Sequence, residues 1–172
     1  QQVWKTSNEV ASICYAVSKQ AFGRQPDEAM MAGLLHSIGR LYILMHAHHN
    51  DPTLRDDPSF TETLEAWQPV IGKAILEAWG LPQRICEAVE NQDYLLAGGS
   101  AELEPLTRLL SAAKLRYRLD AEPELRVQHP DAEFLLNGVN LGKGSFTDLV
   151  AVSQADIESM QHAHVEISRK PS

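Results

Sequence analysis

The chain has 172 residues, a hydrophobic fraction of 44% and a formal net charge of −8, with a pI near 5.3. That is enough apolar material to fill the core of one domain. The acidic balance disfavours contact with nucleic acid or anionic membranes, which relies on cationic surface. No apolar run approaches the roughly 18 residues that span a bilayer, and no basic-then-apolar signal segment opens the chain. Cys14 and Cys86 lack C-x-x-C spacing and read as small buried thiols of a reducing cytoplasm.

Val3–Phe22 is predicted as a helix with Val10, Cys14, Val17 and Ala21 inward, Thr6 and Glu9 forming a capping box, and Gly23 ending it. Pro26 and Asp27 open the next helix. Across Ala29–Met45, Met31, Leu34, Leu35, Ile38, Leu41, Tyr42 and Met45 form one apolar stripe at helical spacing. The other side carries Ala32, Gly33, His36, Gly39 and Ile43. Each glycine costs roughly 1 kcal/mol of helix stability relative to alanine, which makes sense where a neighbouring helix packs on bare backbone. The expectation is a single central helix over about 29–47, buried on both sides, with His36 pointing inward. His46, His48 and His49 crowd its end and read as a solvated terminus favoured by the helix dipole.

The loop Asn50–Ser59 contains Pro52 and Pro58, and Ser59 with Glu62 makes a second capping box. From Phe60, the series Leu64, Trp67, Ile71, Ile75 and Trp79 is helical in period, with a kink or break expected at Pro69. Gly80 stops this helix, and Pro82 takes the first position of the next, whose inner face is Ile85, Ala88, Val89 and Leu96. Gly98-Gly99 is a hinge or turn. Glu104-Pro105 opens a helix with Leu106, Leu109, Leu110, Ala113 and Tyr117 inward, and with Lys114, Arg116 and Arg118 as a solvated basic group.

Residues 120–145 read mostly as loop, with a short helix at Ala132–Leu136. Gly142-Lys143-Gly144-Ser145 lacks the first glycine and the preceding strand of a phosphate loop. Phe146–Val152 is helical, and Ser153 with Asp156 caps a last helix bearing Ile157, Met160, His164 and Ile167 on one side, before Arg169–Ser172 frays. No strand alternation or internal repeat is visible. The prediction is a compact all-α bundle: a helical core over 1–119, a loop-rich connection over 120–145, and C-terminal helices over 146–172 packing on the same domain.

Leu34-Leu35-His36-Ser37-Ile38-Gly39-Arg40 resembles the L-L-H-D-I-G-K signature of the HD superfamily of metal-dependent phosphohydrolases. Trp4-Lys5-Thr6-Ser7, Ala32–Arg40, Trp67–Gly72, Leu76–Pro82, Ala88–Gln92 and Ala112-Ala113-Lys114 follow the order and spacing of one branch, the HDOD domain, over its HD-like half. Trp79-Gly80-Leu81-Pro82 and Gly33–Arg40 are its most specific matches. The resemblance implies the HD fold. In metal-binding members it also implies a His–Asp doublet, further histidines and a last aspartate, which hold a cation that activates water. Here Thr6, Ser37, Gln68, Asn91 with Gln92, and Ala113 stand where that ligand set is expected, and His36 alone survives. One imidazole cannot hold a catalytic metal.

The expectation is therefore a non-catalytic, cytoplasmic HDOD-type domain of bacterial signal transduction, with no metal or other cofactor. Its partners would be other signalling proteins or domains, and an oligomer is left open. An alternative is a small-ligand sensor for a nucleotide or metabolite, lined by His36, Ser37, Gln68, Asn91 and Gln92 with Arg40 at the rim. A phosphohydrolase would have to recruit Glu65, Glu90, Asp93 or the His46–His49 cluster.

Overall fold

The computed structural model describes residues 2–23, 25–98 and 103–169. Gly99 of the expected turn and the last three residues of the expected fraying end lie outside them, as does the side chain of His164. The described residues fold as an all-α bundle whose sole β-type pairing is a bridge between Asn140 and Ser145. None of its helices is long and apolar enough to cross a membrane.

Helix α1 (Gln2–Ala21) packs against α2 (Pro26–Leu35), α6 (Pro105–Ala121) and α9 (Phe146–Arg169). Its predicted inner residues Val10, Cys14, Val17 and Ala21 are all buried. It starts before Thr6, so Thr6 and Glu9 do not form an N-terminal capping box. Helix α3 (Ile38–Asn50) packs on α4 (Pro58–Ala78), which leads to α5 (Gln83–Glu90) and on to α6. Short helices α7 (Pro123–Gln128) and α8 (Ala132–Asn137) occupy much of the segment expected to be loop.

The expected central helix is two helices. It breaks at His36–Ser37, where the imidazole Nδ1–H donates to the Gly33 carbonyl at 2.6 Å and competes with the next helical turn for that acceptor. Nor are both sides fully buried, although Leu35 and Ile38 of the large stripe pack against the core. The small side is buried, through Ala29, Ala32, Gly33, Gly39 and Ala47, whereas Met31, Tyr42 and Met45 of the large apolar stripe are exposed. Close backbone approach is the reason. A Cβ on Gly33 would lie 2.5 Å from the Cα of Ala11 in α1. One on Gly39 would overlap the Gln68 carbonyl oxygen of α4 and lie 2.7 Å from the Gly72 nitrogen.

Helix α4 runs unbroken through Pro69, which is buried within it, so the expected break is absent. Packing of this long helix on α3 and α5 offsets the lost backbone hydrogen bond. Its buried face is Leu64, Gln68, Pro69, Gly72 and Leu76, and both Trp67 and Trp79 are exposed. The N-cap is Asp57, whose carboxylate accepts from the Ser59 amide at 2.9 Å, rather than Ser59 itself. Pro82 is the N-cap of α5, one position earlier than expected.

Helix α9 is one helix and not two. Ser153 sits inside it, buried, with its hydroxyl directed at the Ala16 carbonyl of α1 at 3.4 Å. Beyond Ile157 its residues are largely exposed, Ile167 included.

Gly39→Ala should cost about 2–3 kcal/mol in denaturant unfolding, because overpacking against rigid backbone outweighs the better helix propensity of alanine. Gly72→Ala should cost distinctly less, since its Cβ would meet the Val89 side chain at 3.2 Å and the Gly39 nitrogen at 3.4 Å, with no overlap.

Candidate functional site

The turn between α2 and α3 presents His36 and Ser37 to a polar cluster made with α4, α6 and the end of α5. Because a carbonyl can only accept, the bond to Gly33 fixes the proton of His36 on Nδ1. Nε2 is then an acceptor, and the Ser37 hydroxyl donates to it at 3.0 Å. His36 is 1% exposed. Burial, reinforced by the charge of Lys114, lowers its pKa to about 4, while the Gly33 bond and Asp93 pull the other way. The ring is therefore neutral near pH 7, and Ser37 keeps its role as donor. A base this weak is a poor activator of the serine, since an effective general base has its pKa near the working pH.

Gln92, just past α5, is 1% exposed and fully engaged. Its Nε2 donates to the His36 carbonyl at 2.8 Å and to the Val89 carbonyl at 2.7 Å. Its Oε1 must then accept, and it does so from Gln68 Nε2 at 2.8 Å and from Lys114 Nζ at 2.7 Å. This assigns the amide of Gln68: the nitrogen faces Gln92, and Oε1 is left buried without a partner among the described residues.

Lys114 is the residue that sequence reasoning missed. Rather than lying solvated, it is 8% exposed, and its ammonium is held by Asp93 at 2.8 Å as well as by Gln92. Burial lowers its pKa from the usual lysine range, and Asp93 opposes that shift. The available signal was its position four residues after Leu110 and three before Tyr117, on the inward stripe of α6.

A cavity of about 410 Å³ opens onto this cluster. Thr6, His36, Ser37, Gln68, Lys114 and Tyr117 are among its lining residues. At the rim, Arg40 pairs with Glu65, and Arg118 pairs with Glu122 at 2.8 Å. Thus His36, Ser37, Gln68 and Arg40 meet at the cavity, with Gln92 directly behind it. Asn91 stays apart, its amide turned back to the Glu87 carbonyl of its own helix. Ala113 is core. His46, His48 and His49 are exposed at the end of α3, where the His46 ring lies against Tyr42.

The resemblance implies a divalent metal at His36, and the side chains present do not fit one. Around His36 stand a hydroxyl, two carboxamides and an ammonium, which repels a second cation. No group of three or more His, Cys, Asp or Glu converges among the described residues. Glu65, Glu90 and Asp93, the acids available for recruitment, pair with Arg40, Lys73 and Lys114 respectively.

The depressed pKa of His36 links to stability with a definite sign. The native state resists protonation, so its contribution is fully present above the ordinary value of 6.5 and is lost as pH falls toward about 4. An NMR titration of the His36 imidazole should show a midpoint well below 6.5, near 4, in parallel with falling thermal stability over that interval.

Comparison with known proteins bears on the family and the fold. The family model described as the HDOD domain matches residues 1–95. A solved structure, named "Putative phosphohydrolase" from Shewanella amazonensis SB2B, superposes with a TM-score of 0.59 at 21% identity. The match covers 94% of this chain and 62% of that one, so this chain spans under two thirds of its neighbour's length. No curated protein sequence matches the chain. The family match covers more than half of the residues and includes both His36 and Gln92, and the chain belongs to the HDOD domain family.

Proposed function

We propose that this chain is a non-catalytic HDOD-type regulatory domain, acting in bacterial cytoplasmic signal transduction through contacts with other signalling proteins or domains. The observation that carries the reading is the ammonium of Lys114, bonded to Gln92 and Asp93 within the polar cluster around His36. A cluster that already contains a fixed positive charge gains nothing from a divalent ion and loses by Coulomb repulsion. The solved neighbour's name raises phosphohydrolysis as a rival. That chemistry needs a metal-activated water or an equivalent base. Against it stand the neutral, weakly basic His36 and the carboxylates already engaged with Arg40, Lys73 and Lys114.

A second reading is supported by a separate observation. Gln68 Oε1 is buried, lacks a partner among the described residues, and belongs to a side chain that lines the cavity. A buried, unsatisfied acceptor on a side chain that lines a cavity of this size favours a small-ligand sensor.

Protein purified without chelator should contain only substoichiometric iron, manganese and zinc by elemental analysis, and stoichiometric metal would overturn the non-catalytic reading. Lys114→Met should lower stability by about 2 kcal/mol, because it strips Asp93 and Gln92 of a charged hydrogen bond. Melting curves for this variant should accordingly shift down by about 4–8 °C for a chain of this size.

A further inference from the structure

We infer that the outer face of the α3–α4 pair is an interface for a second copy of this chain. The inference goes beyond both readings above and rests on neither, because it uses no group of the cavity.

The place of the face follows from one ion pair. Arg40 of α3 and Glu65 of α4 meet at the rim of the cavity, so they mark the cavity side of both helices. Two residues along an α-helix turn it by roughly 200°. Tyr42, two after Arg40, and Trp67, two after Glu65, therefore stand on the side of the pair turned away from the cavity. Met45 and Val70 each follow three residues later and share that side. All four are open to solvent: Tyr42 is 48% exposed, Met45 65%, Trp67 57% and Val70 50%. Ala66 and Ala74 are exposed beside them.

These six residues include no Asp, Glu, Lys or Arg. The sole charged residue between Ala66 and Ala74 is Lys73, and its ammonium is bonded to Glu90 of α5 at 2.6 Å. Bare backbone contact at Gly39 and Gly72 locks α3 to α4, so the face is held ready and little ordering is needed on docking.

Area and charge choose the occupant. The six side chains leave open on the order of 500 Å², near the upper end for the largest apolar patch of a monomer. In a two-fold pair the same face serves both copies, and together they cover on the order of 1,000 Å², the lower bound of a specific interface. A face free of charge meets its own copy without burying an unpaired ion. A cationic partner would seek carboxylates within the face, which has none. The net charge of −8 disfavours an anionic lipid surface as the occupant.

The test is sedimentation equilibrium of the full chain. From about 5 to 500 µM the mass should rise from 19.1 kDa toward twice that value, with a dissociation constant on the order of 10–100 µM. Association should tighten with added salt, which screens the repulsion between two acidic copies and leaves apolar burial intact. Trp67→Glu should weaken it at least about tenfold. Phe134→Glu should leave it unchanged, since this exposed aromatic lies on α8, which packs on α6 and α9. A chain that stays monomeric up to about 500 µM overturns the proposal. So does association that Trp67→Glu leaves intact, that Phe134→Glu weakens equally, or that salt weakens. Should Trp67→Glu not fold, methyl NMR of the wild-type methionines decides. The Met45 signal must shift on dilution, and a fixed Met45 signal while the mass changes overturns the placement. Metal content and ligand binding play no part in this measurement, so its failure and the failure of either reading above are distinct results.

Discussion

A carboxamide has four hydrogen-bonding positions, and in Gln92 four separate segments fill them. The turn between α2 and α3, the end of α5, the middle of α4 and the middle of α6 each contribute one partner. Buried amides are costly when half satisfied and strongly orienting when fully satisfied. The fixed direction of Gln92 propagates outward: it sets which way the Gln68 amide points and which of its atoms is left without a partner among the described residues. The arrangement of the site follows from this one side chain more than from any charged pair.

Burial of Lys114 fits the same logic. An ammonium out of water needs both counter-charge and hydrogen bonds, and it finds the first in Asp93 and the second in Gln92. The cluster thereby holds an internal positive charge. His36, close enough to sense that charge, remains neutral and becomes a structural acceptor for Ser37. The side chains around His36 thus form a set of fixed donors and acceptors.

Much of this was legible in the residues. The inner face of α1 follows unbroken periodicity, and Val10, Cys14, Val17 and Ala21 are all buried as that spacing requires. Gly33 and Gly39 marked close helix contacts, and both make them. Burial of the whole large stripe was overestimated because hydrophobic periodicity weighs size, whereas close crossings bury small residues and leave Met31 and Tyr42 outside. The same bias pointed to Trp67 when the neighbouring Gln68 was the inward residue. Lys114 was grouped with Arg116 and Arg118 by charge, although its helical position put it on the inner stripe. Ser153 looked like a cap because serine is favoured at N-caps and Asp156 follows at the right spacing. Its burial depends on α1 passing alongside, a tertiary contact that no local pattern encodes.

The crossing at Gly39 and Gly72 has a mechanical consequence. Where two backbones touch with no side chains between them, they cannot slide past one another without collision, so α3 and α4 move as one rigid pair. That pair carries one wall of the cavity: Arg40, Glu65 and Gln68 travel together. Any widening of the entrance would involve the α1 and α6 residues that also line it, among them Thr6, whose hydroxyl donates to the Tyr117 hydroxyl at 3.3 Å.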